Sequence, residues 1–149
     1  MTTHSQMTDA LRRVLADTYS LYVKTHGYHW NVEGPRFKSL HELFEEQYTA
    51  LLKSVDDVAE RIRALGAYAP MGPVAITEGT TIDVPDNTVP SANTMVQNLV
   101  TAHEAWLVTA KEALDVADQV NDAASDDLLG ALINEHEKMT WMLRASLER

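Results

Sequence analysis

The sequence predicts an all-α protein: a four-helix bundle with a long crossover between its second and third helices. Apolar residues recur at helical spacing over four segments of the chain. The connections between these segments are short, long and short in turn, an arrangement that joins two helix pairs into one bundle. A chain of 149 residues without an internal repeat can bury one core, so we expect a single domain over residues 1–149.

The first helix is expected to begin at Thr8 or Asp9, either of which can cap it, after a short flexible segment over residues 1–7. Its apolar face, which His29 continues, carries Leu11, Val14, Leu15, Thr18, Tyr22 and Thr25. The turn over residues 33–35 is brief, so the first two helices are expected to be antiparallel neighbours.

The second helix is expected over residues 35–65, with Pro35 at a first helical position and Gly66 ending it. Its apolar face carries Phe37, Leu40, Phe44, Tyr48, Leu51, Val55, Ala59 and Ile62. Residues 66–90 then change to Gly, Pro, Thr and Asp without a sustained helical period, which marks the long crossover. A connection of this length often has an element of its own, and a short helix is expected within residues 75–86.

Ser91 is expected to cap the third helix, which ends near Val120. The apolar face of that helix carries Met95, Leu99, Ala102, Trp106, Ala110, Ala113 and Ala117. The fourth helix is expected to begin at Ser125, with Asp126 and Asp127 favourably placed in its first turn. Its apolar face carries Leu128, Leu132, His136, Met139 and Leu143.

Four side chains that can bind a metal lie along one flank of the second helix: His41, Glu45, Asp56 and Glu60. His41 and Asp56 are about 22 Å apart along the axis at 1.5 Å per residue, so one metal in one chain cannot use both. A two-fold axis through the middle of the helix would set His41 of one chain beside Asp56 and Glu60 of another. The preceding turn can fold His29 back toward His41, and two imidazoles with carboxylates suit iron, zinc or manganese.

Three stretches of the sequence, HWNVEG, FKSLHELFEE and DDVAERIRALG, resemble the signature of the Dps proteins, the ferritin-like mini-ferritins named for DNA protection in starved cells. The resemblance extends over essentially the whole chain. It implies a ferritin-like bundle that assembles into a hollow dodecamer, with a short helix of the crossover near the dimer interface. Ferroxidase sites at the two-fold interfaces would oxidise Fe²⁺, typically with hydrogen peroxide, and the interior would store a ferric mineral.

The spacing of the family's ferroxidase ligands matches His29, His41, Glu45, Asp56 and Glu60. The resemblance implies that the two histidines of one subunit act with Asp56 and Glu60 of its partner as the catalytic ligands. Zinc or manganese could occupy the same site. The family commonly has Asp at the position of Glu45, which is one methylene longer, so a second iron position is expected to be shifted or weaker.

Three further side chains have two interpretations each. Trp30, beside His29, either packs at an interface or absorbs a stray radical near the iron site. Asp122 and Asp127 belong to an acidic cluster at a helix start, where acids favour the first turn. The resemblance adds that such acids line three-fold pores in Dps-like assemblies, which makes both residues candidates for drawing Fe²⁺ inward.

Other functional classes fit the sequence less well. A conventional ferritin di-metal site would use Glu-x-x-His motifs, and the chain has none, so His26, His103 and His136 are interpreted as structural. A DNA-binding nucleoid protein with a secondary metal site is the main alternative. Binding to DNA is doubtful, because the net charge is −10 and residues 1–11 contain no Lys or Arg. An acidic structural bundle that binds zinc or nothing is a third class.

The composition also indicates a compartment. The chain has no cysteine, which fits a reducing cytoplasm. No cleavable leader precedes Asp9, and no apolar run approaches the length needed to span a bilayer. We therefore expect a soluble cytoplasmic protein with no membrane partner, with association with the nucleoid as the alternative.

Overall fold

The computed structural model describes residues 3–83 and 87–149, and over these ranges the chain forms helices and no strands. The helices are α1 (Thr3–Asn31), α2 (Phe37–Ala64), α3 (Pro73–Ile76), α4 (Ala92–Gln119) and α5 (Ala123–Ala145). The long helices α1, α2, α4 and α5 form a four-helix bundle, and α3 lies in the crossover between α2 and α4. The predicted all-α fold with a long crossover is confirmed. No helix in the described ranges is long and apolar enough to cross a membrane.

Helix α1 begins at Thr3, so the predicted start at Thr8 or Asp9 is wrong. Met7 is only 1% exposed and lies one turn before Leu11, which extends the buried face of the helix toward the N-terminus. Packing of that extra turn against the bundle stabilises it without a cap at Thr8. Residues 3–7 of the segment predicted to be flexible are therefore helical, and residues 1 and 2 lie outside the described residues.

Helix α2 begins at Phe37, two residues after the predicted position, and ends at Ala64. Gly66 has a φ of 95°, and its N–H donates to the carbonyl of Arg63 at 2.9 Å. Only glycine adopts this left-handed backbone without a steric penalty, so Gly66 ends the helix as the sequence predicts. The five residues between α1 and α2 keep the two helices antiparallel neighbours.

The crossover contains α3, which shares only residues 75 and 76 with the predicted window of residues 75–86. Pro73 occupies the first turn of α3, where its missing N–H costs nothing, so the helix starts earlier than predicted. Residues 84–86, at the end of that window, lie outside the described residues. The crossover is held by Asp17 of α1, a fully buried carboxylate that accepts hydrogen bonds from both Thr80 and Thr81.

The turn between α4 and α5 differs from the prediction in its cap. Ser91 caps α4 as expected, since its hydroxyl accepts the N–H of Thr94. Helix α5 begins at Ala123 with Asp122 as its N-cap, two residues before the predicted start at Ser125. Asn121 has a φ of 57°, and this left-handed residue ends α4 and lets α5 begin at once. Ser125 instead donates its backbone N–H to the Asp122 carboxylate at 3.0 Å.

Two histidines of the last helix pair lie in the bundle core. His103 and His136 are both 0% exposed, and their Nδ1 atoms are 3.0 Å apart, so one donates to the other. The ring of His136 stacks on Trp106, whose indole N–H donates to the hydroxyl of Thr18 on α1. Burial lowers the pKa of His103 to about 3, and burial followed by the charge of His103 lowers the pKa of His136 well below its usual value. Both rings are therefore neutral at physiological pH.

Candidate metal centre

The short connection between α1 and α2 brings His29 and His41 into contact. His29 lies in the last turn of α1 and is 7% exposed, while His41 lies at the start of α2 and is half-buried. The imidazole rings stack with their centroids 3.8 Å apart and an interplanar angle of 14°. The sequence predicts this pairing, and the antiparallel helices provide it.

The two histidines hold each other through the backbone. Nδ1 of His29 is 2.7 Å from the carbonyl oxygen of His41, and Nδ1 of His41 is 2.7 Å from the carbonyl oxygen of His29. A carbonyl oxygen can only accept, so each Nδ1 carries the proton and donates it. In the neutral rings both Nε2 atoms are then unprotonated, and an imidazole in this tautomer is ready to bind a metal.

Three carboxylates gather on the C-terminal half of α2. Asp56, Asp57 and Glu60 each offer an oxygen, and these oxygens lie within 4.8 Å of one another. The hydrogen bond with Asp56, followed by the negative charge of that carboxylate, raises the pKa of Glu60. A divalent cation bound among these oxygens would relieve the repulsion between the acids. Carboxylate oxygens are hard ligands that suit Fe²⁺, Fe³⁺ and Mn²⁺.

Asp57 is missing from the predicted ligand set. The prediction followed one flank of α2 at four-residue spacing, and Asp57 lies one position further around the helix, where Lys53 binds it at 2.9 Å. Three acids within five residues of one helix are the signal that could have identified it.

The histidines and the carboxylates remain two separate half-sites within one chain. Asp56, Asp57 and Glu60 form the one group of three potential ligands in the described part of the chain, and neither histidine belongs to it. Glu45 is exposed one turn after His41, on the histidine side of α2. The single helix α2, of 28 residues, carries both His41 and the three carboxylates, so no folding of the single chain can bring them together.

An exposed apolar surface runs along the flank that carries both half-sites. On α2, Phe37 and Leu52 are 44% and 47% exposed, and a shallow groove there is lined by Thr49, Leu52, Lys53, Val55, Asp56 and Ala59. On α1, Val23 and Trp30 are also exposed, at 42% and 64%, but they line a different cavity, with residues 87–90. Large apolar side chains grouped on one surface of a soluble protein mark a site of interaction.

Trp30 contacts the candidate site indirectly. Its ring lies on that of His26, with centroids 4.0 Å apart, and the ring of His26 also stacks on Tyr48 at 4.1 Å. Tyr48 meets the ring of His29 edge-on at 5.1 Å, so a tyrosine lies beside the histidine half-site. The sequence predicts Tyr48 only as part of the apolar face of α2, because helical spacing does not distinguish a core ring from one beside a ligand.

In the acidic cluster at the α4–α5 turn, Asp122 has a structural role that the other acids do not share. Burial alone raises the pKa of Asp122, but hydrogen bonds from Ser125 and the adjacent Arg61 guanidinium outweigh it and lower the pKa. Asp122 binds Arg61 at 2.8 Å and caps α5, so it has a structural role. Asp122 also lines an open depression, together with Asp118, Asn121, Asp126 and Asp127. Asp118 belongs to this cluster in the structure, although the sequence predicts only Asp122 and Asp127 as pore residues.

Comparison with known proteins decides the family. A family model for the ferritin-like domain matches residues 8–149. DNA protection during starvation protein 2 of Bacillus anthracis is 36% identical over 98% of this chain and 99% of its own length. The chain belongs to the Dps family. Among solved structures, a Dps protein from Bacillus brevis matches with a TM-score of 0.93 and 37% identity, covering 99% of each chain.

A second Dps structure adds a chemical class. The Dps protein from Vibrio cholerae O1 matches with a TM-score of 0.92 and 32% identity, covering 99% of this chain and 92% of that one. It is described as a member of a broad superfamily of ferritin-like diiron-carboxylate proteins. The resemblance of the sequence to the Dps family is therefore confirmed, as is its ferritin-like fold.

Proposed function

We propose that this protein is a ferroxidase that oxidises Fe²⁺ with hydrogen peroxide at sites shared by two subunits and stores the Fe³⁺ product as a mineral. The reciprocal hydrogen bonds of His29 and His41 carry this proposal, because they leave the Nε2 atoms of two stacked imidazole rings unprotonated. The description of the Vibrio cholerae relative as a diiron-carboxylate protein supports iron as the substrate. Removing Fe²⁺ and peroxide together protects the cell and its DNA from hydroxyl radicals.

The two half-sites supply different kinds of ligand to the iron. His29 and His41 supply neutral nitrogen ligands, and Asp56 and Glu60 of the partner subunit supply negative oxygens, which favour the more highly charged Fe³⁺ product. Two Fe²⁺ ions give two electrons to one peroxide, which takes up two protons and leaves as two waters. Glu45 holds the second iron directly or through water.

The apolar surface along α2 supports a two-fold interface. Residues 41 and 56 are placed symmetrically about positions 48 and 49, where the groove beginning at Thr49 lies. A second copy packed antiparallel there covers Phe37 and Leu52 and sets His41 beside Asp56 of the partner subunit. The same contact produces a second, equivalent site. We propose the family's hollow dodecamer as the complete assembly.

Entry of iron is assigned to the acidic depression at the α4–α5 turn. Asp127 is exposed and free to attract Fe²⁺ electrostatically, together with Asp118 and Asp126. Asp122 contributes negative charge from its place at the helix cap, where Arg61 partly neutralises it. Trp30 remains a candidate to absorb a radical that escapes the site, since it contacts His26 and is exposed.

The test is the double variant His29→Ala/His41→Ala, with His4→Ala as a control at an exposed histidine. We expect peroxide-driven oxidation of Fe²⁺ to slow by about 100-fold or more, the scale on which loss of ligand support usually acts. The particle should stay assembled by size-exclusion chromatography. Wild-type oxidation rates in the double variant would exclude these histidines as ligands. The isolated protein should also bind Zn²⁺ or Mn²⁺ in competition with Fe²⁺.

A further inference from the structure

The ring contacts beside His29 continue through Tyr48 to Tyr22. Tyr48 of α2 lies 5.1 Å from the His29 ring, and Tyr22 of α1 lies 6.2 Å from Tyr48, both edge-on between centroids. Electrons pass readily between aromatic rings at such contacts. Tyr48 and Tyr22 therefore form a path that leads from the histidine half-site to a second phenol.

Tyr22 differs from Tyr48 in that its hydroxyl is hydrogen-bonded to a group that can accept its proton. Its hydroxyl lies 3.2 Å from Nδ1 of His26, and the phenol O–H donates when that nitrogen is unprotonated. The ring of His26 is held in place between Tyr48, at 4.1 Å, and Trp30, at 4.0 Å. Oxidation of a phenol to a neutral radical requires loss of its proton, so a fixed acceptor makes Tyr22 the easier of the two tyrosines to oxidise.

We propose that Tyr22, hydrogen-bonded to His26, is a redox-active residue that supplies one electron through Tyr48 when peroxide meets a site holding a single Fe²⁺. This inference rests on the proposed ferroxidase function. A lone Fe²⁺ has one electron to give, and cleavage of the peroxide O–O bond by one electron releases a hydroxyl radical. A second electron from Tyr22 completes the reduction to water.

Fe²⁺ and Tyr22 each lose one electron, and the O–O bond of hydrogen peroxide breaks as it gains both. The phenol proton passes to Nδ1 of His26, and two protons from solvent convert the two peroxide oxygens to two waters. The products are Fe³⁺, a neutral tyrosyl radical on Tyr22 and a protonated His26. The next Fe²⁺ to arrive can reduce the radical, which then recovers the proton from His26.

The experiment loads the assembled protein with less than one Fe²⁺ per site, adds hydrogen peroxide and freezes the sample within milliseconds. Electron paramagnetic resonance should show a tyrosyl radical, identified by the narrowing of its spectrum when the tyrosine rings are deuterated. The variant Tyr22→Phe should lose that signal severalfold and release severalfold more hydroxyl radical to a spin trap. Tyr68→Phe, at an exposed tyrosine, should match the wild type.

A second variant tests the proton acceptor. His26→Phe keeps a ring between Tyr48 and Trp30 but removes Nδ1, and it should lower the radical yield severalfold although both tyrosines remain. At full iron loading, Tyr22→Phe and His26→Phe should both oxidise Fe²⁺ at the wild-type rate, which shows that they are folded and assembled. An unchanged tyrosyl signal in Tyr22→Phe, or a radical located on Trp30 in place of a tyrosine in the wild type, would overturn the inference and leave the ferroxidase proposal intact. Failure of the wild type to oxidise Fe²⁺ would overturn both.

Discussion

The separation of the two half-sites leads to a quantitative prediction about mixed particles. One variant carries His29→Ala and His41→Ala, and a second carries Asp56→Ala and Glu60→Ala. If each site takes its histidines from one subunit and its carboxylates from the other, both parent particles lack every complete site. Mixing the two kinds of subunit should then restore activity.

The size of the recovery follows from counting interfaces. With equal amounts of freely mixing subunits, about half of the two-fold interfaces join unlike subunits. Each such interface has one site with both ligand groups intact and one with both removed. About one quarter of all sites are therefore complete, and we expect about one quarter of the wild-type rate. Sites contained within single subunits would give no recovery.

A matched mixture makes the count decisive. Wild-type subunits mixed equally with a variant carrying all four substitutions should also retain about one quarter of the rate if sites are shared between subunits. The same mixture should retain about one half if each subunit holds its own site. The particles are dissociated, combined and reassembled, and native mass spectrometry verifies the mixing before Fe²⁺ oxidation is measured. No activity in the first mixture and about one half in the second would refute the shared site.

Three further predictions concern stability and binding. Asp17→Asn should lower the free energy of unfolding by about 3 kcal/mol in a urea titration, because the buried carboxylate accepts several hydrogen bonds. Asp9→Asn, the control at a half-exposed site, should lower it by less than about 1 kcal/mol. His103 and His136 are neutral when folded and protonated when unfolded at acidic pH, so stability falls as the pH drops below the unfolded value near 6.5 and continues to fall to about 3, where His103 titrates. Between about pH 7 and pH 5 each buried histidine should lower the free energy of unfolding by about 2 kcal/mol. The free energy of unfolding should therefore depend less on pH in His103→Gln than in His4→Gln, the control at an exposed histidine. An equal pH dependence in the two variants would contradict the assignment. Duplex DNA should not shift in a gel near neutral pH without Mg²⁺ or iron, because the chain carries a net charge of −10, and tight binding under these conditions would reveal a basic surface formed in the assembly.

Much of the fold could be read from local pattern. The apolar spacing of the four segments predicts the four long helices, because each helix must bury one face and the residues of that face repeat every three or four positions. Gly66 and Ser91 end and begin helices for reasons that lie within a few residues of each, and both were predicted. The separation of His41 from Asp56 and Glu60 also follows from the sequence, since it depends only on the rise of helix α2.

The starts of α1 and α5 depended on contacts that the local sequence does not contain. Met7 is a helical residue because the rest of the bundle covers it, and a short polar segment would otherwise remain unstructured. Asp122, and not Ser125, caps α5 because it also binds Arg61 of α2 across the bundle. In both cases a partner distant in the sequence determined which of two adequate starts was used.

The chemistry of the candidate site was decided by atoms that meet between helices. The sequence places His29 and His41 near each other, but only the packed structure aims each Nδ1 at the other residue's carbonyl oxygen and so selects the tautomer with an unprotonated Nε2. The same is true of Tyr22 and Tyr48, which belong to different helices. Periodicity records which side of a helix is buried, whereas these contacts depend on the crossing and register of two helices, which only the tertiary structure determines.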